Sequence, residues 1–271
     1  MSSKSDALFA VKKLNNEVVK VIQSKVPKDS RPVKGWKLFP EMNANIFVCA
    51  KKNSGKTVTI WHTLRKCCGK DTKIIVFCAT LHKDPTWIAI QEWAEEKGLV
   101  FIGHESIKDE DGVDQLDLLI KELQAKVEGD EQEKSIFDSD SEDSDGQQEK
   151  KEKYQSPEYI FILDDLSTEL KSISIPRLLK VNRHFKSKTI ISSQWLNDLH
   201  PMSRKQQDYF ILFRGHPQKK LEEIHRDASI SIPLEEFWKV YKFATEKPFS
   251  FLYVDCGTGQ FRRNFNELIE L

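Results

Sequence analysis

The sequence predicts an α/β fold with a doubly wound, mostly parallel sheet closed by a C-terminal β-hairpin. Three observations carry that expectation. Short β-branched apolar runs alternate with segments of helical periodicity. A loop rich in small and basic residues, Ala50-Lys51-Lys52-Asn53-Ser54-Gly55-Lys56-Thr57, joins the first of those runs to the first helical segment. A later run ends in two consecutive aspartates, Asp164 and Asp165.

The strands are expected at residues 45–49 (NIFVC), 73–78 (KIIVFC), 99–102 (LVFI), 159–163 (YIFIL), 189–192 (TIIS) and 209–213 (YFILF). Uninterrupted apolar runs of this length suit strands covered on both faces. Helices are expected between them at 56–66, 85–97, 112–127, 175–185 and 197–207. Gly69 stands just past the first as a stop, and Pro85 opens the second. Beyond residue 215 the pattern shifts to helices at 219–226 and 233–245. In the latter, Phe237, Val240, Tyr241 and Ala244 recur at helical spacing. Two strand-like pieces, 249–255 and 260–265, joined through Cys-Gly-Thr-Gly, then read as a hairpin.

Composition narrows the class. The chain has 271 residues, with 42 basic and 42 acidic side chains, and 39% of it is apolar. No run reaches the length of a membrane span, and the first twenty residues lack the apolar core of a secretory signal. The five cysteines show no C-x-x-C pair, so reduced thiols in an intracellular protein are expected. The neutral total conceals an asymmetry. Residues 128–152 hold eleven acidic against three basic side chains, a net of −8, and the rest of the chain therefore carries +8. Residues 1–35 hold eight basic against three acidic, a net of +5. A second basic cluster comprises Arg177, Lys180, Arg183, Lys186 and Lys188. Such patches suit a polyanionic partner. The chain divides into a basic N-terminal extension (1–37) and one large domain (38–271), with an acidic low-complexity insertion at about 128–153.

The chemistry gathers at three strand ends. A chain turning from a strand into a helix N-terminus directs successive backbone N–H groups at one point, where the helix dipole also favours an anion. In residues 50–57 Gly55 allows close approach of a phosphate, Lys56 reaches the β- and γ-phosphates, and the Thr57 hydroxyl holds Mg²⁺. Val58 is the next residue of the helix, and the remainder of the loop (Ala50, Lys51, Lys52, Asn53, Ser54) completes the nucleotide-binding set. Ala50 stands where the motif usually has its first glycine. Asp164 and Asp165 close a buried strand at the crevice where open α/β sheets bind ligands. One carboxylate suits the Mg²⁺ shell and the other an attacking water, an arrangement that favours hydrolysis. Gln194, ending the strand TIISSQ, is placed to sense a γ-phosphate or position water.

AKKNSGKT, YIFILDDLS, NRHFKSKTIISSQ and FSFLYVDCGTGQFRRNF together resemble the viral DNA-packaging ATPases of the FtsK–HerA superfamily. The type resembled is that of poxviruses and giant viruses, also carried by Polinton (Maverick) elements. The resemblance covers residues 38–267. Ala50 and the acidic insertion are its departures from the pattern. It implies a RecA-like P-loop NTPase that binds ATP and Mg²⁺ and forms a homo-oligomeric ring, usually a hexamer, with a pentamer the alternative. Such a ring moves double-stranded DNA into a capsid, engaging a capsid or portal protein inside the host cell at assembly sites or in the virion. It further implies that Thr57 and Asp164 support Mg²⁺, Asp165 polarises water, Gln194 senses the γ-phosphate, and Arg183 or Arg204 is a finger donated to a neighbouring subunit. Two other readings of the loop stand beside it: a small-molecule kinase, and an NTPase switch without motor activity.

Overall fold

The computed structural model describes residues 29–137 and 153–271. The first 28 residues of the basic extension and residues 138–152 of the acidic stretch lie outside the described residues. A compact unit spans Arg31–Leu271.

The elements follow in the order β1 (Ala44–Cys49), α1 (Lys56–Cys67), β2 (Lys73–Cys78), α2 (Pro85–Glu96), β3 (Phe101–His104), α3 (Gln115–Phe137), β4 (Tyr159–Asp164), α4 (Ser174–Val181), β5 (Ser187–Ser193), α5 (Pro201–Arg204), β6 (Tyr209–Phe213), α6 (Gln218–Asp227), α7 (Leu234–Ala244), β7 (Phe251–Asp255), β8 (Phe261–Arg263) and β9 (Glu267–Ile269). They form one sheet of order β3-β2-β4-β5-β1-β6-β7-β8-β9. Strands β1 to β6 run parallel, and β7, β8 and β9 are antiparallel additions beyond β6.

Strand alternation explains the double winding. Successive side chains of a strand point to opposite faces. In β4, Tyr159, Phe161 and Leu163 enter a core built with Leu116 and Ile120 of α3, Leu178 of α4, Ile224 of α6 and Val240 of α7. Ile160 and Ile162 enter the opposite core, with Ile60 and Leu64 of α1 and Trp87 and Ile90 of α2. Both faces are therefore dry, which is why these strands read as unbroken apolar runs. All five cysteines are free thiols, and only Cys256 is not fully buried. No helix among the described residues is long and apolar enough to cross a membrane.

Several elements depart from the sequence expectation, among them α4, which ends at Val181, four residues short of the expected 185. α3 continues to Phe137, into the acidic stretch. The helix expected at 197–207 is a 3-10 turn (Leu196–Asp198) and the four-residue α5. Pro201 lacks the N–H that a continuous helix needs and instead starts a new one. β3 lies two residues later than expected and pairs with β2 from Phe101 to His104. β9 extends the hairpin into a three-stranded antiparallel edge.

Candidate active site

Register brings the three strand ends together. Cys78 pairs with Asp164, Asp164 with Ser192, and Cys49 with Ser193, so the carboxyl ends of β2, β4, β5 and β1 lie level. The loop leaving β1 starts at Ala50, which is buried and donates its N–H to the Ser193 carbonyl at 3.1 Å. Ala50 is not among the residues with positive φ, so the methyl group in place of a glycine costs nothing here. Glycine-like backbone is needed later. Asn53 adopts φ 60° and Gly55 φ 92°, and Gly55 is the N-cap of α1 without any side-chain cap. The first turn of α1 contains no acidic residue, which leaves its N–H groups and dipole directed at an anion.

The loop opens onto a cavity of about 550 Å³ whose walls include Asn53–Val58 and Asp165. Thr80, Lys83 and Asp84, from the segment between β2 and α2, and Thr86 in the first turn of α2 also line it. Sequence reading missed these four, since nothing local to them carries a motif. Lys56 reaches across the cavity floor, with its Nζ 2.9 Å from Asp164 Oδ1 and 2.5 Å from Asp165 Oδ2. Burial alone would lower the ammonium pKa, but the two carboxylates outweigh it and the net shift is upward. Lys56 is held charged.

The two aspartates differ in environment. Asp164 is only 2% exposed. Its Oδ1 also accepts from Ser192 Oγ. Its Oδ2 accepts from the Trp87 indole at 3.1 Å, with the Cys78 thiol at 4.0 Å. Asp165 leaves the strand in the left-handed region at φ 53°, which turns its side chain out of the sheet to 39% exposure. It faces the phosphate cavity on one side and, on the other, a second cavity of about 310 Å³ lined by Thr168, Ser193, Gln194 and Asp198. Gln194 thus shares a chamber with Asp165.

The arginines lie elsewhere. Arg183 follows α4 and precedes β5, and Arg204 ends α5 before β6. Both therefore sit at the amino ends of parallel strands, about 20 Å of strand length from the phosphate loop. Arg183 is exposed. Arg204 is committed to its own fold, donating from Nε to the Leu199 carbonyl at 3.0 Å and from a terminal nitrogen to that of Asn197 at 3.3 Å. Its other terminal nitrogen stands 3.8 Å from Asp227. The structure brings neither arginine to the phosphate loop of its own chain.

The sequence matches no protein-family model and no curated protein. Among solved structures, the genome packaging NTPase B204 of Sulfolobus turreted icosahedral virus 2 in complex with AMPPCP is similar at 18% identity and a TM-score of 0.52, covering 85% of this chain and 100% of that one. The DNA-packaging ATPase B204 of Sulfolobus turreted icosahedral virus is similar at 18% identity and a TM-score of 0.52, over 82% of this chain and 97% of that one. B204 of the second virus in complex with sulfate gives 19% identity and a TM-score of 0.50 over 82% of this chain. The fold is that of a P-loop NTPase with its antiparallel edge, the architecture of these packaging NTPases.

Proposed function

We propose that this chain is an ATP-hydrolysing motor subunit that translocates double-stranded DNA to package a viral or virus-like genome. The observation that carries the reading is the placement of Lys56 against two carboxylates of unlike environment, one sealed and one facing the Gln194 chamber. The similarity in fold to packaging NTPases supports it.

In this reading the α1 N-terminus and Lys56 hold the phosphates. The oxygen donors at the cavity suit Mg²⁺, which takes one or two carboxylates and a hydroxyl and completes its shell with water and phosphate oxygens. Thr57 and Asp164 are the residues that would hold it, and bound there it would neutralise phosphate charge. Lys56 then exchanges its carboxylate partners for phosphate oxygens. Asp165, freed of the lysine, orients a water for attack on the γ-phosphorus and takes its proton as the bond to the β-phosphate oxygen breaks. Gln194 holds that water from the opposite wall. Arg183 or Arg204 of an adjacent subunit in a ring adds a further positive charge to those of Lys83 and Lys171 at the two cavities, and the basic N-terminal residues and surface lysines engage DNA. A capsid or portal protein is the docking partner, and the motor acts in the host cell at sites of capsid assembly or within the virion.

The test is ATPase rate with and without double-stranded DNA, together with the mass of the assembly in both nucleotide states. Stimulation by duplex DNA and a closed oligomer are expected; a rate that responds to a nucleoside and not to DNA would indicate a kinase. Mixing inactive Lys56→Ala and Arg183→Ala chains, or Lys56→Ala and Arg204→Ala, should partly restore turnover if that arginine acts across subunits. Full activity of both arginine variants alone would remove them from the mechanism.

A further inference from the structure

The turn that feeds β7 carries an aromatic ring where its backbone suits glycine. Ser250 donates its N–H to the Lys247 carbonyl at 3.2 Å, so residues 247–250 form a β-turn with Pro248 and Phe249 at its centre. Proline fixes a negative φ at the first central position, and Phe249 follows at φ 63°. That combination is a type II turn, whose second central position favours glycine because a Cβ there is strained. The ring gains no burial in return. Phe249 is 70% exposed, more than any other large apolar side chain among the described residues.

Topology sets this turn at the phosphate end of the sheet. β7 runs antiparallel to β6 with Phe251 opposite Phe213, and Leu212 of β6 lies level with Cys49 of β1. The start of β7 therefore stands beside the loop that leaves β1. Gly55 shows how close the ring comes. A Cβ placed on Gly55 would lie 3.5 Å from Cδ1 of Phe249 and 4.0 Å from Cε1 of Phe213. Gly55 is at once a wall of the phosphate cavity and the N-cap of α1. Three residues on, at helical spacing from it, Val58 also lines that cavity and is 58% exposed. The phosphate site is thus flanked by two bare apolar groups, an aromatic ring and a branched aliphatic side chain, beside a loop that is otherwise polar and basic. Phosphate oxygens gain nothing from either. A nucleobase does, because it is tethered to its phosphates through a single ribose and its face is stabilised by covering an aromatic ring.

We infer that Phe249 is the base-stacking residue of the nucleotide site, with Val58 beside it, and that it gives the site a preference for purine over pyrimidine nucleotides. The inference rests on the nucleotide-binding part of the reading above. A ring of this kind grips any flat base, and the larger purine covers more of it, so the selection is by ring size. The position also accounts for the turn. A ring held by a strained backbone with its face open to water is set in place before the ligand arrives. Glycine would relax the turn and leave the base nothing to cover.

The experiment titrates the full chain, with Mg²⁺ present, with ADP, CDP and inorganic pyrophosphate by calorimetry. ADP is expected to bind about fivefold more tightly than CDP. Phe249→Ser should weaken ADP about tenfold, the loss of one base–aromatic stack, and leave pyrophosphate within about twofold. Phe249→Trp should keep the ADP affinity. Phe249→Gly should lose ADP as the serine variant does while its Tm stays level or rises, because glycine suits the turn. Equal loss of ADP and pyrophosphate in Phe249→Ser would show that the ring only props the phosphate loop. Unchanged ADP binding would leave the ring to a protein or DNA partner. Either result overturns the inference, as does a Phe249→Gly chain that melts well below the parent or fails to fold. On the unaltered chain, ADP binding no tighter than CDP overturns it too. Pyrophosphate binding without any gain from a base sinks this proposal alone; binding of none of the three sinks the nucleotide site and this proposal with it.

Discussion

Replacing Asp164 separates what this carboxylate does for the fold from what it does for chemistry. Its two oxygens accept from Ser192 Oγ and the Trp87 indole, both inside the dry core, as well as from Lys56. Asp164→Ala strands the two buried donors, and each costs about 1–3 kcal/mol. Lys56 keeps Asp165 at 2.5 Å and adds little to the loss. The sum is about 2–6 kcal/mol, which at about 2–4 °C per kcal/mol for a domain of this size lowers Tm by about 12 °C at the midpoint. Asp164→Asn behaves differently. Its amide oxygen can face the Trp87 N–H while its NH₂ donates to Ser192, whose hydroxyl rotates to accept. Lys56 then shifts wholly to Asp165. That variant should lose about 1 kcal/mol, or about 3 °C. Both should be inactive in ATP turnover, because neither supplies the charge expected at the metal position. Scanning calorimetry and an ATPase assay on the same preparations check the pair. An alanine variant that melts with the parent, or an asparagine variant as unstable as alanine, would refute the reasoning from stranded donors.

Lys56→Ala should lose nucleotide binding, whereas Asp165→Asn should bind ATP and fail to turn it over; fluorescent-nucleotide binding beside phosphate release checks this, and normal turnover by Asp165→Asn would remove that carboxylate. Lys188 is fully buried in β5, and its Nζ faces the Phe39 and Glu41 carbonyls. Burial lowers its pKa from 10.5, against the opposing pull of Cys67, Glu41 and Asp208. Between that lowered pKa and 10.5 the unfolded chain binds more protons than the folded one, so this residue makes stability rise with pH. Lys188→Met should abolish that rise and be at least as stable near pH 7. Urea melts of both proteins across the alkaline range test it, and an unchanged slope would show that Lys188 does not titrate within that range.

Much of this architecture can be read from the chain because dry strands leave a strong local signature. KIIVFC and YFILF mark β2 and β6 to the residue, and the loop from Ala50 to Thr57 announces its own strand, turn and helix. What could not be read is what depends on contacts distant in sequence. Trp87 reaches Asp164 across 77 positions, and Ser192 reaches it across 28; their spacing from the aspartate encodes nothing. Lys83 and Thr80 enter the phosphate cavity because β2 lies beside β4, a fact of strand order. Short pieces also misled. The run at 99–102 is apolar, yet only Phe101 and Ile102 of it pair with β2, and the ladder goes on through Gly103 and His104.

The sheet ends, on both sides, in short strands: four residues in β3 and three in β9. An edge that short offers too few outward N–H and C=O groups to template another chain's strand. Among the described residues, neither rim of the sheet therefore offers a long ladder to a second copy. Whatever holds neighbours together must be side chains meeting side chains, a joint that can slip and re-form without unpicking backbone. In the ring proposed above, subunits would meet through contacts of that kind.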